Sequence, residues 1–253
     1  MHIAGHGYRL SQYDCQAGPG DLPFEERHAA PTLAVVRGGR FSYHGKHGKA
    51  LLQGGSIMLG NPGCHYCCSH EDSHGDQCSV IHFDSELFAE ASRDDAGFGY
   101  SALPPLAGLV PAIARFDRGL PDAPLLLLEA VLTTCGTLRA APGKPNLREQ
   151  RALRRSVDLI ESAYADPLSL DDLARCAAMS RFHYLRCFRR VYATTPYRYL
   201  QARRLARAAQ QLACSQEKIA DIAFACGFGD LSTFNAGFKA AFGQSPGAWR
   251  DAA

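Results

Sequence analysis

Two stretches in the second half of this 253-residue chain repeat each other, and that repeat restricts the fold more than any other feature. The first runs Leu170-x-x-Leu173-Ala174, Ala177-Ala-Met-Ser180, Tyr184, Phe188-Arg-Arg190, Tyr192, Thr195-Pro196 and Tyr199. The second runs Ile219-x-x-Ile222-Ala223, Cys226-Gly-Phe228-Gly-Asp230, Phe234, Phe238-Lys239, Phe242, Ser245-Pro246 and Trp249. The offset between them is 49 before Ser180/Asp230 and 50 from there on, so the second turn holds one extra residue. Each copy reads as a short helix, a turn, an N-cap (Ser180 or Asp230) and a second helix with aromatics four apart. Such a unit cannot bury its apolar face alone, and tandem helix-turn-helix units follow.

Helical geometry separates the faces. Tyr184, Cys187, Phe188 and Val191 fall on one side, toward a core, while Phe182, Leu185, Arg186 and Arg189 lie opposite. In the second copy the outward side holds Ser232, Asn235, Ala236 and Lys239. A helix with this face suits insertion in a DNA major groove, where Arg reads guanine and apolar groups touch thymine methyls. A helical bundle with a solvated basic face is the plainer alternative.

Charge supports the polyanion reading. The chain's net charge is only +2, yet residues 150–253 hold 15 Lys+Arg against 9 Asp+Glu, a net of +6, and residues 1–149 hold 12 against 16, a net of −4. The boundary is Ala140-Ala-Pro-Gly-Lys-Pro-Asn146, which reads as a linker. The expected division is 1–140, a linker at 141–149, and 150–253. After the linker, Glu149–Ala165 has helical period and stops at Asp166-Pro167, and Ser169-Leu-Asp171-Asp172 is near to a capping box. Before it, Ala123–Leu138 reads as a helix whose leucines Leu125, Leu128 and Leu132 either dimerise or pack on the front domain. Further forward, short β-prone runs (32–36, 39–43, 50–52, 56–59 and 78–83) alternate with Gly-rich turns, as in a small antiparallel barrel or jelly roll.

Residues 150–253 resemble the DNA-binding domain of the AraC/XylS family of bacterial transcription regulators. The likeness rests on Ile219-Ala-Asp-Ile-Ala-Phe-Ala-Cys-Gly-Phe228, Phe234-x-x-x-Phe238-Lys, Phe242-Gly-Gln-Ser-Pro246 and Trp249-Arg250. The resemblance implies seven helices, with a long helix at about 195–213 joining two units that contact successive major grooves. It implies base contacts from Phe182, Leu185 and Arg186 in the first unit and from Leu231, Ser232 and Ala236 in the second, where an Arg often stands at 236. Asn235 joins this set from the outward face, and Arg186 is expected to be the main base-reading donor. Arg181, Arg189, Arg190 and Lys239 are expected at phosphates. Double-stranded DNA is the expected partner, with RNA polymerase and a second copy of the chain as further partners.

The front half resembles the cupin-like sensor domains that precede such DNA-binding domains, through its architecture and Gly54-Gly-Ser-Ile-Met-Leu-Gly-Asn-Pro-Gly63. An α+β two-domain chain follows, with a cupin-like β-barrel and then an all-α domain. Four of the chain's ten cysteines and three of its ten histidines lie between Cys64 and Cys78. Cys68, His70, His74 and Cys78, with Cys64, Cys67 and Asp72 behind them, are candidate ligands for Zn²⁺ or another thiophilic divalent metal. A thiol redox sensor and plain packing of small apolar side chains are the alternatives. The effector is accordingly a small molecule, a metal or an oxidant. The other cysteines, Cys15 among them, read as packing residues. His28, His44 and His47 read as exposed turn histidines, with a place at a barrel mouth, touching a ligand, as the alternative.

No continuous apolar h-region or spanning stretch is visible, and ten cysteines without a secretory signal fit a reducing compartment, so a cytoplasmic protein away from membranes is expected. Nothing resembles a nucleophile elbow, a catalytic triad or a phosphate loop, which argues against an enzyme. Two contrasting readings are a cupin metalloenzyme fused to a DNA-binding tail and a nonspecific DNA binder.

Overall fold

A computed structural model describes residues 2–5, 7–70, 74–92, 97–138 and 147–252. The linker stretch 140–146 and Asp72 lie outside the described residues. Contacts divide the chain into two units, Met1–Pro105 with Pro121–Thr137, and Leu106–Leu120 with Leu138–Ala253. The division at 140 read from the sequence does not follow this grouping, because residues 106–120 pack with the C-terminal helices.

The strands of the first unit all pair antiparallel: β1 His2–Gly5, β2 Tyr8–Cys15, β3 Phe24–Arg27, β4 Thr32–Gly45, β5 Gly48–Gln53, β6 Ile57–Gly60, β7 His65–Ser69, β8 Asp76–Phe83 and β9 Ala102–Leu103. Strand β4 organises it. Its first half pairs with β8 and β6 and its second half with β5 and β7. The change of partners coincides with a register shift between Val36 and Gly38, and Gly39 sits at φ +74°. A Cβ there would come within 2.2 Å of the Gly75 carbonyl oxygen, so only glycine lets β4 bend at this point.

Two sheets result, β1-β2-β8-β4-β6-β9 and β3-β7-β4-β5. Between them lie Ala34, Val36, Phe41, Tyr43, Leu52, Met58, Cys68 and Cys78. The expected closed barrel is not seen. Among the described residues β1 and β9 end the path without meeting, because the shared strand folds the structure into two layers instead of a ring. The runs at 32–36 and 39–43 are one bent strand, and β1, β2, β3 and β7 had no clear sequence signal.

Helices α1 (Ser85–Ser92) and α3 (Ala123–Thr137) complete this unit. On α3 the buried stripe is Ala123, Leu127, Leu128 and Val131, while Leu125 and Leu126 are exposed. The leucine face expected from the sequence is therefore split between core and solvent.

The second unit holds α2 (Val110–Asp117) and seven helices after the linker: α4 Leu147–Ala163, α5 Leu170–Cys176, α6 Arg181–Tyr192, α7 Pro196–Cys214, α8 Ile219–Ala225, α9 Leu231–Phe242 and α10 Pro246–Asp251. The seven-helix expectation and the long connecting helix both hold. Two aromatic cores are present. Leu153, Val157, Ile160, Leu173, Tyr184, Phe188 and Tyr199 form the first. Leu205, Leu212, Ile222, Phe234, Phe238, Phe242 and Trp249 form the second, and Val110 of α2 belongs to it. Arg118 reinforces that attachment, with its guanidinium 4.8 Å from the Trp249 ring centroid and Nη1 donating to the Trp249 carbonyl at 3.2 Å. No described helix is long and apolar enough to cross a membrane.

The repeat extends to backbone conformation. Left-handed residues occur at Ala178 (φ +52°) and Gly227 (φ +85°), and again at Ala193 (φ +52°) and Gly243 (φ +73°). The first copy thus places alanine where the second places glycine. At Gly227 a Cβ would stand 2.6 Å from the Ala165 carbonyl oxygen. Gly227→Ala is therefore expected to lower stability in urea unfolding by at least about 2 kcal/mol, from left-handed strain plus the clash. Ala178→Gly relieves the same strain and is expected to change stability by less than about 1 kcal/mol. Equal losses for both would show that the two turns do not share this constraint.

Candidate nucleic-acid interface and buried thiol site

The outward face of α6 starts at its cap. Ser180 accepts from the His183 backbone N–H at 3.4 Å, and Asp230 accepts from that of Thr233 at 2.7 Å, so both second helices start where the sequence placed them. The backbone N–H and hydroxyl of Thr233 hold the Asp230 carboxyl below the usual carboxylate range. Behind α6, Tyr184, Cys187 and Phe188 are fully buried. In front, Phe182 is 87% exposed, Arg186 and Arg189 are exposed, and Leu185 is half-buried. On α9, Leu231, Ser232, Asn235, Ala236 and Lys239 are all exposed.

The basic residues divide by what they touch. Arg186 Nη2 lies 3.3 Å from His183 Nδ1 and reaches into solvent. Arg181 forks onto the Asp171 carboxylate of α5. Arg190 is half-buried and 2.5 Å from Glu149 Oε2, pinning α6 to α4. Arg203 pairs with Glu161 at 2.5 Å, and Arg204 donates to the carbonyls of Tyr164 (2.7 Å) and Asp166 (2.8 Å). Part of the +6 charge is thus structural, which a count by itself does not reveal. His183, Cys187 and Glu149 bring donor atoms within 4.8 Å of one another, but the Arg190 guanidinium already supplies the positive charge there.

In the first unit the Cys/His string covers β7 and the start of β8, which lie in different sheets and share β4 as a neighbour. Side chains alternate along a strand, so Cys68 and His70 share one face and Asp76 and Cys78 another. The β2–β8 register sets Cys15 directly opposite Asp76. Cys15, His70 and Asp76 are all buried, with donor atoms within 4.8 Å of one another. His70 Nε2 lies 2.7 Å from Asp76 Oδ1, and the Cys78 thiol donates to Asp76 Oδ2 at 3.2 Å. Burial first, and the Asp76 charge second, push the Cys68 and Cys78 thiols well up, and burial also raises Cys15. All ten cysteines are thiols. Protonated, buried thiols are poor nucleophiles toward oxidants, which speaks against ready peroxide chemistry at this cluster.

Of the sequence candidates, Cys68, His70 and Cys78 come together here. His74 does not: it is exposed against Gly18, where a Cβ would stand 2.9 Å from its ring. Cys64 and Cys67 are only half-buried, Cys67 because it alternates with Cys68. Cys15 and Asp76 are the members that sequence reasoning missed: Cys15 enters by strand pairing across more than 60 residues, and Asp76, inside the string, by its contacts with His70 and Cys78.

His28 is also a correction. It is buried, stacked on Tyr66 at 4.2 Å between ring centroids, with Nε2 3.0 Å from the Tyr43 hydroxyl. His44 and His47 are exposed as expected.

Residues 173–252 match the family model for a helix-turn-helix domain. The HTH-type transcriptional regulator YbfP of Bacillus subtilis is 31% identical over 101 residues, covering 40% of this chain and 34% of that protein. The HTH-type transcriptional activator RhaS of Yersinia pestis is 34% identical over 98 residues, 39% of this chain and 36% of that protein. The chain thus spans about a third of the length of these curated relatives. A solved AraC-type transcriptional regulator from Chromobacterium violaceum is 33% identical, with a TM-score of 0.39, covering 42% of this chain and 95% of that one. The DNA-binding domain of AdpA, solved with a target DNA, is 28% identical, with a TM-score of 0.38, covering 40% and 91%.

Burial lowers the His28 pKa to about 4, with the His82 charge adding to the shift. Between that value and the unfolded pKa of about 6.5, the unfolded chain binds the extra proton, so stability is full above pH 6.5 and falls as pH drops toward 4. The full effect is about 3 kcal/mol. Urea midpoints measured down this range are expected to fall for the native chain and to fall less for His28→Gln. Identical pH profiles would remove His28 as the source.

Proposed function

Residues 173–252 form an AraC-type helix-turn-helix domain, and from that premise we propose that the chain is a sequence-specific regulator of transcription that docks α6 and α9 in successive major grooves of double-stranded DNA. The observation that carries this reading is the face of α6. Phe182 and Arg186 stand exposed on a helix that is capped, rigidly packed behind, and turned outward.

Arg186 is the base-reading donor, with Phe182 and Leu185 beside it for apolar contact. Leu231, Ser232 and Asn235 take the second groove with shorter reach. Arg189 and Lys239 serve phosphates, whereas Arg190 is committed to Glu149, and Arg181 contributes after exchanging Asp171 for phosphate. The first unit is the sensor, and its buried Cys/His/Asp cluster is the place where a metal or a small effector alters DNA binding. Contact with RNA polymerase, self-association and a cytoplasmic location belong to the same reading.

The test begins with duplexes selected by the full chain from a randomised pool. Arg186→Ala is expected to weaken binding to the selected site by about 1–3 kcal/mol and to relax preference at one position. Lys239→Ala is expected to weaken selected and scrambled duplexes alike and to reduce the salt slope by about one ion. Equal binding of the native chain to selected and scrambled duplexes at fixed salt would make it a nonspecific binder.

A further inference from the structure

We infer that Cys15, His70, Asp76 and Cys78 together bind one thiophilic divalent metal ion of the Zn²⁺ class, buried among the ends of β2 and β7 and the start of β8. The inference deepens the sensing role proposed for the first unit and rests on that reading for its biological meaning.

The donor set is the first ground. Two sulfurs, an imidazole nitrogen and a carboxylate oxygen match the ligands that tetrahedral Zn²⁺ takes from proteins, and all four residues are buried. Distance is the second. Around Zn²⁺, with bonds of about 2.0–2.3 Å, tetrahedral donors stand about 3.3–3.8 Å apart. Here His70 and Asp76 are 2.7 Å apart and Cys78 and Asp76 are 3.2 Å apart, while Cys15, His70 and Asp76 lie within 4.8 Å of each other. Cys15, His70 and Asp76 form the compact trio, and the Cys78 thiol, held on the second Asp76 oxygen, completes the set by rotation of its own side chain.

Topology is the third ground. The residues come from the end of β2, the residue after β7, and two same-face positions of β8, so strand pairing fixes Cys15, Asp76 and Cys78, and His70 follows directly on β7. A site held this way is rigid before the ion arrives. Asp76 is central, with Oδ1 toward His70 and Oδ2 toward Cys78. On binding, the Cys15 and Cys78 thiols release their protons to solvent, and the two hydrogen bonds of Asp76 give way to metal coordination. Cys68, buried beside Cys78 in the same core, is a reserve thiol outside the ligand set.

The full chain, reduced and stripped of metal, is titrated with Co²⁺ as the probe. One equivalent is expected to bind with the intense visible bands of a tetrahedral site and sulfur-to-cobalt charge transfer worth two thiolates, and Zn²⁺ is expected to displace it. Cys15→Ser and Asp76→Asn are each expected to weaken binding at least about tenfold, the loss that even outer-shell changes bring. The Cys64→Ser/Cys67→Ser double variant is expected to bind as the native chain does. The sulfur count on the native protein stands whether or not a variant folds. No tetrahedral spectrum, a spectrum without thiolate, or binding abolished by the Cys64/Cys67 pair and unaffected by Cys15→Ser would overturn the site. The same stripped and loaded samples are then measured on a selected duplex. A tetrahedral site whose filling leaves DNA affinity unchanged retains the metal site and removes the sensing role. A chain that binds the duplex but gives no tetrahedral Co²⁺ spectrum removes the site and leaves DNA recognition intact.

Discussion

The packing of α7 is the constraint on which the DNA-facing half depends. In its first two turns, Tyr199 and Leu200 complete the core beneath α6, and Ala202 to Leu212 complete the core beneath α9. A 19-residue helix is about 28 Å long, close to the ~34 Å of one DNA turn, so one rigid rod sets the scale of separation between two recognition helices. Its arginines serve the same end. Arg203 and Arg204, both largely buried, tie it to the end of α4 through Glu161 and the carbonyls of Tyr164 and Asp166. Removing Arg203 would deprive the largely buried Glu161 carboxylate of its arginine, the costly way to break such a contact.

In the first unit the equivalent constraint is the bend in β4. One strand serves two sheets because Gly39 can take a left-handed conformation pressed against Gly75 and Asp76. That close approach seats the start of β8 where Cys15 on β2 meets Asp76 across the sheet. Backbone curvature and chemistry are thus coupled. The same bend that makes two layers also gathers a carboxylate, an imidazole and thiols at their junction, in a low-dielectric setting where unpaired charge is unfavourable and coordination or hydrogen bonding is required.

Much of the second unit was legible because its information is local. Helix period, the caps at Ser169, Ser180 and Asp230, and the shift from 49 to 50 in the repeat all depend on residues within a few turns of each other. The extra residue is visible as a turn of 226–230 against 177–180. By contrast α2 was not legible, since Val110 and Arg118 take their meaning from Phe228 and Trp249, more than 100 residues away. The leucines of α3 misled for a related reason: four in succession supply apolar residues to every face, and only packing selects Leu127 and Leu128. His28 sits next to turn-like sequence but enters the core by stacking on Tyr66.

The amino-acid sequence by itself determined the tandem helical repeat, its caps and the exposed faces of α6 and α9, because helix amphipathicity is a periodic and local property. It also flagged the Cys/His string. Only the tertiary structure decided which members of that string meet, admitting Cys15 and Asp76 and leaving out His74. It decided likewise which arginines are held by carboxylates or carbonyls and which face solvent. Strand register and ion pairing are long-range, set by how distant segments pack, and no spacing along the chain encodes them.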